Sequence, residues 1–397
     1  MRVLVTAWAW PSHYLPLVPT LWALRAAGHE VLVASQPALA TVVRDSGVPF
    51  VAAGPDLDHE ALRRRQMRDL THADVPPPPP PGQSAKVWTP DEWVRVSKVF
   101  SVFAARSAAM LDDLVTVARA FRPDLVLFEP TTYAGPLVAG LLGVPAVRHL
   151  HGVDLTYQAH EVVPALIAPL SERLGIDPVD PLGTHTVDIC PPSMQIPARV
   201  TRTVQRYVPY NGRADTPSWL RDRPARNRIC LTWGATSSSL GAPFAPPAVL
   251  DALAGTDTEV VVTLTPADRE RLGPVPGNTR VVSSLALHQV LPSCAAVIHQ
   301  GGFGSTLTAA ALGVPQLVLP QLVDQKFQAA RLAATGAGTV LTAADFSGNA
   351  VRERVGALTG EPAYARAAAG LREEIRSVPA PAETVADLHA LTTGSNR

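Results

Sequence analysis

Between Val297 and Gln328 the chain reads VIHQGGFGSTLTAAALGVPQLVLPQLVDQKFQ, and these residue types at this spacing suit an anion beside a sugar. A short apolar strand runs into His299-Gln300 and then into Gly301-Gly302-Phe303-Gly304, after which a helix begins at about Ser305. Glycines there let the backbone adopt positive φ and approach a ligand, while the first helical N–H groups, with Ser305 and Thr306, face an anion such as phosphate. His299 reads either as a phosphate ligand or as a satisfied strand-end histidine. A second strand, Gln316 to Leu319, ends in Pro320. Asp324 and Gln325 follow on the way into the next helix, where polar side chains can read hydroxyl groups, although Asp324 also suits a helix N-cap. Gly234, Thr236 and Ser237, after another strand, add amide and hydroxyl donors.

His13 lies on the loop after the first strand, at the strand edge where α/β proteins bind ligands. An imidazole with an ordinary pKa near 6.5 suits removal of a hydroxyl proton; the plainer reading is a histidine that hydrogen-bonds its own loop. Trp8, Trp10, Trp88, Trp93 and Tyr133 lie in or near first-half loops and suit an apolar pocket as well as a core. His149 and His151 sit two apart on a strand end, but no third ligand completes a metal set, so these two and Asp154 read as acceptor-pocket or structural groups.

The elements that position these residues alternate. Arg2 to Ala7 is a contiguous apolar strand, Leu17 to Ala27 a helix stopped by Gly28, and Glu30 to Ala34 a second strand. Strands at 49–53, 124–128 and 145–149 continue the pattern, which predicts a doubly wound parallel sheet. An insertion from Leu70 to Thr89 carries the hexaproline run Pro76 to Pro81, which cannot pair in a sheet; a lid and a tolerated insertion fit it equally. A long amphipathic helix follows from about Asp91 to Arg119. After His151 the chain turns irregular apart from a helix near 161–174. A second sheet then starts at Arg228, with strands at 228–233, 259–264, 280–283, 296–299 and 316–319.

These elements divide the 397 residues into a first domain at 1–210, a linker at 211–227, a second domain at 228–378 and a last segment at 379–397 expected to pack back on the first domain. Thirty-four basic and thirty-four acidic residues cancel, leaving no electrostatic footprint for nucleic acid or an anionic membrane. No stretch reaches the roughly 20 apolar residues of a membrane span. Cys190, Cys230 and Cys294 lack metal-ligand spacing and fit a reducing, cytoplasmic setting.

The pattern H-x-G-G-x-G-S-T, helix, G-V-P, strand ending in Pro, then D-Q resembles the donor motif of GT-B nucleotide-sugar glycosyltransferases. The opening WAWPSHYLPLVPTLWALRAAGHEVLVASQPAL and the segments HGVDLT, CPPSMQ and YVPYNG resemble actinobacterial transferases that attach deoxysugars to polyketides and macrolides, of the spinosyn rhamnosyltransferase type. The resemblance implies two Rossmann-like doubly wound domains facing across a cleft, with acceptor bound by the first and donor by the second. It implies His13 as general base, oriented by Glu129 where relatives commonly carry Asp, and Trp10, Tyr133, His151 and Asp154 as acceptor contacts. Donor contacts implied or suited are Gly234, Thr236, Ser283, Leu285, His299, Gly301, Gly302, Gly304, Ser305, Thr306, Asp324 and Gln325, with Ser283 to Leu287 at the nucleobase. Gln300 stands where many relatives have a second histidine, which shifts leaving-group stabilisation onto His299 and the helix start.

The implied reaction is transfer of a deoxysugar from a thymidine-diphosphate donor to a lipophilic aglycone, with inversion and without metal or other cofactor. Small molecules are the expected partners; a homodimer and an auxiliary protein resembling a cytochrome P450 are compatible with the resemblance. Two other classes fit the donor motif: a sugar-nucleotide epimerase and a non-catalytic sugar-nucleotide-binding partner.

Overall fold

The computed structural model describes residues 1–66, 89–234, 242–283 and 285–394. The hexaproline run Pro76 to Pro81 lies outside the described residues, as do Trp88, Thr236, Ser237 and Ser284. The chain forms two compact units: Met1–Cys190 with Ile196–Arg206 and Val378–Arg397, and Pro191–Gln195 with Tyr207–Ser377.

The first unit is built on seven parallel strands: β1 (Arg2–Thr6), β2 (Glu30–Ser35), β3 (Phe50–Ala52), β4 (Leu125–Phe128), β5 (Ala146–His149), β6 (His185–Asp188) and β7 (Arg202–Val204). Their order is β3-β2-β1-β4-β5-β6-β7. β1 is central, with Val3 opposite both Val31 and Leu125. It is apolar because helices cover both sheet faces. The order reverses between β1 and β4, so the loops leaving these two strands diverge and open the crevice in which doubly wound sheets bind ligands.

Helix Pro90–Phe121 begins in a capping box, in which the Thr89 hydroxyl accepts from Glu92 N and Glu92 accepts from Thr89 N. Its buried face sets Met110, Leu111, Leu114 and Ala118 against Leu4, Val126 and Phe128. β6 and β7 fall in the stretch the sequence suggested was irregular. Their residues are too polar to read as buried strands, yet the polarity is matched internally: Arg202 Nη1 reaches Asp188 Oδ2 at 2.8 Å.

The last helix, Pro381–Thr393, packs on helix Val18–Ala26 of the first unit. A buried chain of bonds joins them. The Thr384 hydroxyl donates to Gln205 Oε1 at 2.7 Å, Gln205 Nε2 donates to Thr20 Oγ1 at 2.7 Å, and Thr20 meets His149 Nε2 at 2.8 Å. His149 Nδ1 bonds the Leu150 carbonyl at 2.8 Å, so both ring nitrogens are used within the framework.

The second unit carries six parallel strands: β8 (Asn227–Thr232), β9 (Thr258–Leu264), β10 (Thr279–Ser283), β11 (Ala296–His299), β12 (Gln316–Val318) and β13 (Gly338–Val340), in the order β10-β9-β8-β11-β12-β13. β13 is one strand more than the sequence suggested, and at three residues it is too short to show a pattern. The switch point here lies between β8 and β11. Residues 211–227, expected as the linker, make contacts along this unit. Asn211 donates to Thr308 Oγ1 at 3.1 Å and accepts from His288 N at 3.0 Å, while Arg228 and Arg280 lie over the Trp219 ring at 5.0 and 4.8 Å.

Candidate functional site

At the switch point of the first unit, the loop after β1 supplies His13 and the turn after β4 supplies Glu129. His13 Nδ1 lies 3.0 Å from Glu129 Oε2. Glu129 is wholly buried, whereas the His13 side chain is 18 % exposed. Burial on its own pushes the Glu129 carboxyl up, but the charge and hydrogen bond of His13, the charge of His151 and the Thr132 hydroxyl outweigh it and bring the pKa down to about 2. The carboxylate also accepts from Thr131 N at 3.1 Å, from the Thr131 hydroxyl at 2.8 Å and from the Thr132 hydroxyl.

These two threonines tie Glu129 to the loop after β1. Trp8 N donates to Thr132 Oγ1 at 3.0 Å and the Trp8 indole N–H donates to Thr131 Oγ1 at 3.0 Å. An ionised carboxylate only accepts, so His13 carries a proton on Nδ1, and its neutral form leaves Nε2 as the acceptor. That tautomer is the one a base needs.

His151 stands beside the pair, its ring centroid 4.4 Å from that of His13. Burial first, then the His13 charge, lowers its pKa to about 3, so it is uncharged at neutral pH and gains charge only in the acid range where Glu129 titrates. The sequence offered no third ligand for His149 and His151; the fold gives His151 two others, since ligand atoms of His13, Glu129 and His151 lie within 4.8 Å of one another. A divalent cation there would occupy the nitrogens and carboxylate that form the base.

Of the other expected acceptor residues, Trp10 is brought alongside, stacked on Trp8 at 4.9 Å. Tyr133 is 1 % exposed and packs with Val96, Ala159, Val163 and Ile167, so its ring is core. Asp154 requires correction. It is fully buried and committed to Arg148, which grips it with two bonds of 3.1 and 2.7 Å, and its Oδ1 also accepts from Thr156 and from Tyr157 N. An acceptor molecule cannot compete with that ion pair. The pair instead fixes the loop that holds His151.

In the second unit the corresponding strand ends carry the glycine turn. Gly301 has φ +93°, and a Cβ there would meet Val318 Cγ1 at 2.9 Å, so only glycine fits both backbone and space. His299 is not at the mouth of the turn. It is fully buried, its Nδ1 accepts from Gly301 N at 3.0 Å and its Nε2 bonds Gln316 Oε1 at 2.9 Å. Burial holds its pKa at about 4. His299 is therefore the brace of the turn, and the leaving-group role suggested for it passes elsewhere.

Thr306 is likewise committed, its N–H and hydroxyl both donating to Gly302 O. The groups that remain are the Gln300 amide, whose Oε1 is buried without a partner, and the first turn of helix Phe303–Leu312 with Gly304 and Ser305. A Cβ at Gly234, after β8, would run into the Gln300 amide nitrogen, so Gly234 is there to admit Gln300. Gln325 Oε1 accepts from Gln321 N and Leu322 N, capping helix Val323–Ala334 as its third residue; Asp324 is in the first turn and is not the N-cap. Ser283 accepts from Arg269, and the Leu285 side chain belongs to an apolar cluster with Cys230 and Val261.

Sequence reasoning missed Thr131 and Thr132, whose signal was their spacing two and three residues after Glu129, a local side-chain-to-backbone turn pattern. It also missed Gln36, His59 and Arg106, which carry no local signal.

Three buried histidines make acid sensitivity a direct expectation. His149, His151 and His299 have pKa values lowered by burial to about 4, about 3 and about 4, from 6.5. Each is neutral when folded and gains a proton on unfolding once the pH is below 6.5, so the unfolded state binds more protons and stability falls as the pH drops from 6.5 towards 4. Each contributes on the order of 1.4 kcal/mol per pH unit. Thermal unfolding followed from pH 8 to pH 5 should show a flat region and then a decline beginning near 6.5; a melting temperature unchanged to pH 5 would mean that these imidazoles are hydrated.

The chain matches the model of the erythromycin biosynthesis protein CIII-like N-terminal domain over residues 22–234 and that of the corresponding C-terminal domain over residues 247–391. It is 37 % identical over 426 residues to 10-deoxymethynolide desosaminyltransferase of Streptomyces venezuelae, covering 100 % of this chain and 98 % of the relative. It is 38 % identical over 418 residues to TDP-daunosamine transferase DnrS of Streptomyces peucetius, covering 99 % and 97 %. Among solved structures, the spinosyn rhamnosyltransferase SpnG superposes with a TM-score of 0.81 at 31 % identity, covering 98 % of this chain and 100 % of that one.

Proposed function

The chain belongs to the erythromycin biosynthesis protein CIII-like glycosyltransferases of the GT-B fold, and from that premise we propose that it transfers a deoxysugar from a thymidine-diphosphate donor to a hydroxyl of a lipophilic polyketide-type aglycone, with inversion and with His13 as base. The observation that carries the reading is the 3.0 Å contact between His13 and a buried, ionised Glu129. A bare imidazole would suit many roles. One locked in the tautomer that accepts at Nε2, partly open to solvent, suits proton abstraction.

The acceptor O–H proton passes to His13 Nε2 as its oxygen forms a bond to the anomeric carbon. The carbon–oxygen bond to the diphosphate breaks on the opposite side, and the bonding pair leaves with the nucleotide. The imidazolium formed on His13 is stabilised by Glu129, which stays ionised. In the second unit, the first turn of helix Phe303–Leu312, at Gly304 and Ser305, and the Gln300 amide take up the charge that grows on the diphosphate. Dipoles and amides can offset that charge, so the proposed chemistry uses no metal and no further cofactor. Small molecules are its partners, and nothing in the proposed reaction requires a dimer or an auxiliary protein. Among the described residues no helix is long and apolar enough to cross a membrane.

Thymidine diphosphate at about 100 times its dissociation constant should stabilise the protein by roughly 2.7 kcal/mol. A thermal-shift comparison of thymidine and uridine diphosphates reads this directly, with the thymidine compound expected to shift more. Absence of a shift with either would remove the donor reading. Incubation with the nucleotide sugar alone should leave the sugar unchanged, since an altered sugar without acceptor would point to epimerisation instead.

A further inference from the structure

Among the described residues, two buried hydrogen-bond donors of the first unit find no acceptor. Arg106, on helix Pro90–Phe121, is 6 % exposed, its Nε is buried without a partner, and it makes no hydrogen bond or ion pair among the described residues. Its guanidinium lies over the Trp8 ring at 3.8 Å and faces Phe103 at 5.3 Å. Gln36, after β2, is fully buried. Its Oε1 accepts from Ala9 N at 2.7 Å, which fixes the orientation of the amide and leaves Nε2 buried with no acceptor.

Both donors border one short stretch, Trp8-Ala9-Trp10. The two indoles of that stretch are stacked at 4.9 Å with planes inclined by 29°, and Trp8 lies 5.1 Å from the His13 ring. His59 closes on the same indoles at 5.0 and 5.5 Å. The cation is steadied in part by the Trp8 face and by the field of Glu129, and burial lowers its pKa only to about 10, so it stays charged at neutral pH. Neither effect satisfies an N–H. Buried donors are almost always paired, so an unpaired set beside a candidate base implies a ligand that supplies acceptors.

Resting on the glycosyltransferase reading above, we propose that Arg106 and Gln36 are specificity-determining residues that bind carbonyl or phenolic oxygens of a flat aromatic polyketide laid against Trp10, with the hydroxyl to be glycosylated at His13. The chemistry selects this class in two ways. Arginine and an amide nitrogen donate only, so they favour the paired oxygens of a hydroxyquinone or phenolic ketone. Trp10, stacked on the buried Trp8, offers a flat apolar surface, which a planar ring system covers fully and a puckered macrolactone touches at few points.

The test uses the full chain, with the hydroxyanthraquinone emodin as probe, tryptophan fluorescence quenching as readout and tylactone as competitor. Emodin should quench and should outcompete tylactone. Arg106→Met and Gln36→Leu should each weaken emodin binding by about tenfold or more, as loss of a hydrogen bond from a buried polar group implies, while the thermal shift with thymidine diphosphate stays as in the wild type. Arg106→Lys retains a charge over Trp8 but loses the planar fork, and should also bind emodin more weakly; it carries the test if Arg106→Met does not fold. Unchanged emodin affinity in the arginine variants, or preference for tylactone, overturns the proposal while the donor shift keeps the glycosyltransferase reading intact. Loss of the donor shift in the wild type itself would instead strike that reading.

Discussion

Replacement of His13 by alanine should reduce turnover by roughly 100- to 10,000-fold, the range spanned by general-base catalysis, and leave the thermal shift with thymidine diphosphate unchanged. The residue sits on the short helix Pro11–Tyr14, is 18 % exposed at the side chain, and packs against Trp8 and His151. Its removal empties a partly open place and leaves Glu129 with its threonine partners, so the fold should survive. Glu129→Gln keeps the shape but turns an acceptor-only group into one that also donates, and the imidazole then loses its fixed tautomer. A comparable loss of turnover is expected, and the double variant should be little worse than either single one, because the two groups act as a unit. Single-turnover rates with saturating donor separate this from a defect in binding. A variant lacking His13 that turned over at the wild-type rate would leave the chain as a sugar-nucleotide binder only.

Asp154→Ala should destabilise the first unit by about 3–5 kcal/mol, because it strands the wholly buried Arg148 guanidinium. For a unit of this size that corresponds to a melting temperature lower by on the order of 10 °C. Arg148 would keep only Thr156 and Thr186 as neutral partners, at 3.0 and 3.2 Å. The paired replacement Arg148→Met with Asp154→Leu removes both charges and should regain most of the loss. Had Asp154 been an acceptor contact, the single change would raise KM without moving the melting temperature, so calorimetry and kinetics on the same variant decide between the two roles.

The glycine turn was readable because its evidence is local: strand, glycines and helix start follow one another within ten residues. The pairing of His13 with Glu129 spans 116 positions, and no spacing rule connects them; the family likeness supplied it, and the sheet order gives the physical reason, since β1 and β4 are the neighbours that flank the switch point. His299 was misread for the opposite reason. A histidine before a glycine turn looks poised for a ligand, but its ring turns inward to Gln316 on the adjacent β12, a contact that exists only once the sheet has formed. Arg106 looked like one more arginine on an amphipathic helix. What buries it is Trp8, nearly a hundred residues earlier. The strands β6 and β7 escaped notice because their residues are polar, and β13 because three residues leave too few for a pattern to emerge.

Helix Pro381–Thr393 has a consequence for the order of events during synthesis. Its Pro381, Thr384, Val385 and Leu388 are buried in the first unit, and Thr384 ends the chain of bonds through Gln205 and Thr20 to His149. A ribosome releases the seven strands of that unit early but delivers this helix only after the whole of Tyr207–Ser377. The later-made unit can therefore be finished first. Until that helix emerges, the earlier one shows the uncovered side of helix Val18–Ala26, and a message truncated just beyond Ser377 would yield a sound second unit joined to a first unit left open at that face.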